Sequence, residues 1–173
     1  MDIGDDGGTL LALEGKMSTS PKLTGIEVAP YVLSKIGRMS HLKLQKLLYY
    51  IDAWHLAFFE EPLFSEPFEA WLHGPVLRSV WNEYKGTSIL NDDILPQDGY
   101  DPGKFEEKMT PDQVEMISDV LAEYGDKNPY HLECLTHSEK PWLEARQGVP
   151  DGEASSNPIC KDTTRRFYQA RLA

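Results

Sequence analysis

The side chains best suited to chemistry are five histidines (His41, His55, His73, His131 and His137) and two cysteines, Cys134 and Cys160. Their spacing is a first test. No HExxH occurs and no two histidines lie four apart, so a helical zinc-protease site is not encoded. The nearest metal-like run is His131-x-x-Cys134-x-x-His137. On a helix its outer members diverge by about 120°, so three ligands would converge only if the helix ended near Thr136. Zinc would still want a fourth ligand. No metal or other cofactor is expected.

Nucleophilic catalysis has no firmer footing. The chain lacks a G-x-S-x-G elbow, a Walker loop and a G-x-G-x-x-G turn. Cys134 falls inside a helical pattern and Cys160 in the first turn of another. The pairs Glu60-Glu61 and Asp92-Asp93 read as solvated surface in a chain this acidic. Triad members need not be neighbours in sequence, so an enzymatic alternative is kept: a hydrolase using His73 or His137.

Charge says more than motifs do. The 173 residues carry 28 acids against 17 Lys and Arg, a net charge of −11. DNA binders draw most of their affinity from neutralising phosphates, so a nucleic-acid or anionic-membrane role is disfavoured and a basic protein partner is favoured. The excess is concentrated. Residues 92–126 hold eleven acids opposed only by Lys104 and Lys108. Asp112, Glu115 and Asp119 are the members expected to help dock a partner by electrostatic steering. Conversely, Lys35, Arg38, Lys43 and Lys46 follow one another without an intervening acid. They form a small basic patch, from which Lys43 and Lys46 are also taken as candidate partner contacts.

The elements that must position these groups are mostly helices. Apolar residues at helical spacing predict helices over 26–36, 41–60, 76–86, 110–125, 129–137 and 141–146, with a last one capped by Asn157-Pro158. Leu44, Leu47, Leu48, Ile51, Trp54, His55 and Phe58 make the broadest stripe, with Lys43, Lys46 and Asp52 on its wetter side. Phe68-Glu69-Ala70-Trp71-Leu72 alternates as a short strand, and Gly74-Pro75 breaks it, with Pro75 placed to open the next helix. Residues 91–108 read as loop.

The fold class expected is therefore mainly α, a compact bundle of six to seven helices with one or two short β-strands. Residues 1–24, glycine-rich and acidic, are expected to be a flexible leader before a domain at 25–173, and Met17 is a second candidate start. Asp2, Asp5 and Asp6 occupy the place of a signal peptide's basic end, and no apolar run reaches the roughly 20 residues of a membrane span. With two cysteines and no CxxC, the expected location is cytoplasmic.

A set of short segments, in order, carries a family resemblance. Leu42-Lys43-Leu44-Gln45-Lys46-Leu47-Leu48-Tyr49-Tyr50, followed by Trp54-His55-Leu56-Ala57, resembles the opening helix of the Panacea antitoxin domain, the SocA-like family also described as GepA-like phage-associated proteins. Pro62-Leu63-Phe64, Phe68-Glu69-Ala70-Trp71 and His73-Gly74-Pro75-Val76 are similar to its next element. Leu135-Thr136-His137-Ser138-Glu139 and Pro141-Trp142-Leu143-Glu144-Ala145-Arg146 resemble its second cluster.

The resemblance implies an antitoxin of a bacterial or phage toxin–antitoxin pair, mainly helical, that neutralises a cognate toxin by direct stoichiometric contact. Two routes follow: covering the toxin's surface, or delivering it as an adaptor to an ATP-dependent protease. A phage-associated regulator of a host protein is a further alternative. Some relatives add a helix-turn-helix, for which the leader here is too short, so DNA is not an expected partner. Among the shared residues, Trp54, Trp71, Trp142, Gly74 and Pro75 are expected to be structural. Gln45, Lys46, Glu69, His73, Thr136 and His137 are expected to gather as a polar cluster beside the Trp71 strand.

Overall fold

The broad stripe of residues 41–60 becomes the axis of the molecule. The computed structural model describes residues 22–172, and within them the helix His41–Phe59 is wrapped on nearly every side. In chain order the elements are α1 (Gly25–Ile36), β1 (Met39–Ser40), α2 (His41–Phe59), β2 (Glu69–Trp71), β3 (Gly74–Val76) and α3 (Arg78–Tyr84). They continue with β4 (Asp93–Ile94), α4 (Pro102–Glu106), α5 (Pro111–Tyr124), α6 (Pro129–His137), α7 (Lys140–Ala145) and α8 (Lys161–Leu172). Eight helices and two two-stranded antiparallel sheets among the described residues make the protein mainly α. The leader assigned to residues 1–24 lies outside the described residues up to position 21.

Caps set the helix ends where the sequence places them. Thr24 and Thr110 each close a capping box, with Glu27 and Gln113 reaching back to the cap's backbone N–H. Ser40 caps α2 through Lys43 N. Three expectations need correction. Gly74-Pro75-Val76 is not a helix start but the return strand of a hairpin, paired Glu69 to Val76 and Trp71 to Gly74. Pro158 does not open the last helix; it bridges Glu69, and Ile159 N donates to Phe68 O at 2.7 Å, so this segment lies along the hairpin's outer edge. Residues 91–108 are not all loop. Asp93–Ile94 pairs with Met39–Ser40, and Asp101 caps the short α4.

The wetter side assigned to α2 is also corrected. Lys46 and Asp52 are buried, because α2 has neighbours on all faces, among them α1, α5, α6, α8 and β3. Buried polar groups must then find partners, and here they fasten loops to the axis. Asp52 Oδ1 accepts from Leu63 N at 2.8 Å and Phe64 N at 3.1 Å, while its Oδ2 meets Lys161 Nζ at 2.7 Å. His41 Nδ1 lies 2.9 Å from Ser88 O and its Nε2 3.1 Å from Gln45 Nε2. His55 repeats the arrangement, with Nδ1 2.6 Å from Glu61 O and Nε2 3.1 Å from Gln113 Nε2. A neutral ring that donates at Nδ1 and accepts at Nε2 satisfies both sites, and burial lowers both histidines' pKa values accordingly.

Gln45 holds the chain at the end of the hairpin. Its Oε1 accepts from Leu77 N at 2.8 Å, and its Nε2 reaches Leu77 O at 3.4 Å. Leucine at position 45 would leave Leu77 N and His41 Nε2 without partners in a dry site. Gln45→Leu is expected to cost about 2–4 kcal/mol of stability, read as a shift in the denaturation midpoint.

Candidate functional site

Two regions carry the residues singled out by sequence, and they differ in kind. The first is a clasp in which α6 and α7 grip the β2–β3 hairpin. Trp142 Nε1 donates to Trp71 O at 2.9 Å, and Arg146 Nη1 donates to Ala70 O at 2.9 Å. Arg146 also stacks over the Trp142 ring and reaches Glu153 O, tying down the following loop. His137 also stacks on Trp142, with ring centroids 4.0 Å apart. The shared tryptophans are half-buried struts whose N–H groups each find a partner: Trp54 Nε1 donates to Tyr124 OH and Trp71 Nε1 to Glu69.

Glu133 is the centre of the polar cluster, and sequence reading passed it over. Its Oε1 lies 2.7 Å from His73 Nδ1 and 3.9 Å from His137 Nε2. Thr136 Oγ1 donates to the Glu133 carbonyl at 2.9 Å. Lys46 reaches the same place from below, its Nζ 3.4 Å from Pro75 O. The signal available was helical spacing alone: Glu133 stands three residues before Thr136 and four before His137. Glu69 is not a member of this group. It pairs with Arg78 Nη2 at 2.6 Å and accepts from Trp71 Nε1 at 2.9 Å instead.

Electrostatically the cluster is unsettled. Burial brings the Lys46 amine down to about 7, opposed by the nearby Glu133 carboxylate. Burial likewise lowers His137, whose Nε2 has no hydrogen-bond partner. Gly74 explains how so much fits. Its φ is +110°, and a Cβ there would overlap Lys46 Cε and come within 3.0 Å of Thr136 Oγ1. Among the described residues no group of three or more His, Cys, Asp or Glu side chains is arranged to hold a metal ion.

The second region is a surface. Asp112, Glu115 and Asp119 are all exposed on α5, which the Thr110 capping box and the buried stripe Met116, Ile117, Val120 and Leu121 fix in rotation. The described residues give none of the three an ion-pair partner. Glu123 extends the line by one turn and is exposed too. The basic patch behaves otherwise. Lys35 pairs with Glu106 at 3.3 Å, Arg38 with Asp93 at 3.5 Å, and Lys43 lies in the field of Asp126. Lys46 is wholly buried and presents no charge to a partner. Lys35 and Arg38 are thus answered by the acidic unit of the same chain and Lys46 is no surface charge, while Lys43 stays partly exposed with no ion pair among the described residues.

Compared with protein-family models, residues 44–143 match the family described as antitoxin SocA-like, Panacea domain. That span is more than half of the 173-residue chain. The chain belongs to the SocA-like Panacea family. No curated protein and no solved structure matches it. The matched span runs from the axis helix through the hairpin to the clasp, so what the Panacea match covers includes both the Trp142–Trp71 grip and the exposed acidic face of α5. The family is an antitoxin-like domain and not a known enzyme family. No helix among the described residues is long and apolar enough to cross a membrane.

Proposed function

We propose that this Panacea domain, taken as residues 25–173, is the antitoxin of a toxin–antitoxin pair and neutralises a basic protein toxin in the cytoplasm by direct, stoichiometric contact. The observation that carries the reading is the unpaired acidic line of α5, within a family described as antitoxins. An acid tied into an internal ion pair has little attraction left for a partner. Asp112, Glu115 and Asp119 retain theirs, in a unit whose other charges are partly spent on Lys35 and Arg38. Charge exposed in this way accelerates encounter with an oppositely charged protein and contributes less to its residence time. The clasp, by contrast, is a packing device. His73 and His137 are held against Glu133 and Trp142, which favours a structural role over the hydrolase alternative.

The triple variant Asp112→Asn, Glu115→Gln, Asp119→Asn is expected to slow association with the toxin about tenfold or more at low ionic strength, and to flatten the dependence of the rate on salt. Stopped-flow association from low to physiological salt reads both. An unchanged rate and an unchanged slope would remove the acidic face from the account.

A further inference from the structure

Beside the acidic line runs an apolar groove that the fold leaves open. Trp54 and Phe58 of α2, Val120 and Tyr124 of α5 and Leu172 of α8 line it, around a volume of about 240 Å³. Phe58 is 53% exposed and Leu172 46%, although each has apolar neighbours at hand. Asp119 and Glu123 stand on the groove's α5 rim. With Asp112 and Glu115 they repeat at three- and four-residue intervals, so the rim is a negative rail about 16 Å long.

We infer that this groove seats an amphipathic helix of the toxin, its apolar side chains entering between Phe58 and Val120 and its lysines or arginines lying along the α5 rail; the inference rests on the antitoxin reading above. Each half of the site excludes other occupants. A second copy of this chain, docked about a two-fold axis, would set the same acids face to face in a protein of net charge −11. An anionic lipid surface meets the same repulsion. An acidic or neutral helix would fill the groove and leave the rail unanswered, whereas a helix with an apolar stripe and a basic flank satisfies both at once. The neighbouring cation does not compete, since Arg171 is engaged with Glu139 at 3.5 Å and stacked on Phe167.

The test uses the full chain and two labelled peptides of roughly 18 residues, about five helical turns, with identical leucine and lysine composition. One is ordered as an amphipathic helix and the other permuted to abolish the helical period. The ordered peptide is expected to bind at least tenfold more tightly than the permuted one, and Phe58→Ser to weaken it about 30-fold. Leu172→Ser, at the chain's end, is a second variant that leaves the core untouched, and a thermal midpoint confirms folding of both. Equal binding of the two peptides overturns the proposal, as does indifference to both substitutions, or a wild-type dimer that Phe58→Ser dissolves. A toxin-rescue assay separates this from the broader reading. Wild type failing to protect cells contradicts the antitoxin role, whereas full protection by the folded Phe58→Ser chain contradicts the groove alone.

Discussion

Replacing Lys46 with methionine is expected to make the protein more stable, by about 3–5 kcal/mol at pH 6. Lys46 is fully buried, and its amine makes one hydrogen bond among the described residues, 3.4 Å to Pro75 O. Burial lowers its pKa from 10.5 to about 7. Between those values the unfolded chain holds a proton that the folded chain does not, so stability rises with pH from about 7 upward. Below 7 both states are protonated and the whole cost of the buried charge is felt. The displacement amounts to about 5 kcal/mol, less roughly 1 for the contact to Pro75 O that methionine cannot make. By pH 9 the gain should shrink to about 1 kcal/mol, because the wild-type protein has by then released the proton and only about 2 kcal/mol of the displacement remains before the same deduction. Above pH 10 the buried tyrosines, which hold their protons more tightly when folded, reverse the trend and close the useful window. Urea midpoints at pH 6 and 9 measure the difference. A Lys46→Met protein less stable at both would mean that the charged amine is stabilised where it sits.

Gly74→Ala is expected to cost about 3 kcal/mol or more, for two reasons that add. The position has φ +110°, which an L side chain rarely adopts, and the new methyl would collide with the end of Lys46. The end of a lysine is normally the part most easily moved, but here it is enclosed. The two effects can be separated. In a Lys46→Leu background the longer atoms are gone, so Gly74→Ala should cost about 1–2 kcal/mol less, leaving the backbone penalty and the 3.0 Å approach to Thr136 Oγ1. Strict additivity in that cycle would show that the hairpin turn and the axis helix are not packed against one another as described.

These two residues also show what a sequence can and cannot disclose. Gly74-Pro75 announces a break, and a break is what occurs. Whether the chain then enters a helix or turns back as a strand depends on Lys46, Gln45 and Trp142, which meet it only in three dimensions. The caps at Ser40 and Thr110 were legible because their partners lie three residues away, whereas the capping box of Thr24 fell in the stretch assigned to the leader. The burial of Lys46 and Asp52 was not. A helix with neighbours on every side loses the polar face that periodicity assumes, and its charges are then answered by Pro75, Leu63, Phe64 and Lys161, which lie far along the chain. In the candidate site His73, Thr136 and His137 were visible as motif residues, whereas Glu133 lay between two motif segments and Glu69 was drawn to Arg78 instead. The apolar groove left no local trace. Phe58, Val120 and Leu172 come from three helices, and each alone reads as ordinary core.

On the proposed reading, the clasp and the rail divide the labour of the domain. Trp71, Trp142 and Arg146 fix the hairpin, the hairpin and α8 enclose the axis helix, and the axis holds α5 with its acids turned outward. Stoichiometric binding, as proposed, requires that one rigid face remain available. The most direct measurement is therefore a titration of a fixed amount of toxin, the product of a neighbouring gene that is lethal when expressed alone, with the purified full chain. Residual toxin activity should fall in a straight line and reach zero at one equivalent, with the mixture eluting as a single complex. Complete protection by a small fraction of an equivalent, as an enzyme would give, or toxin activity untouched at several equivalents, would contradict the account.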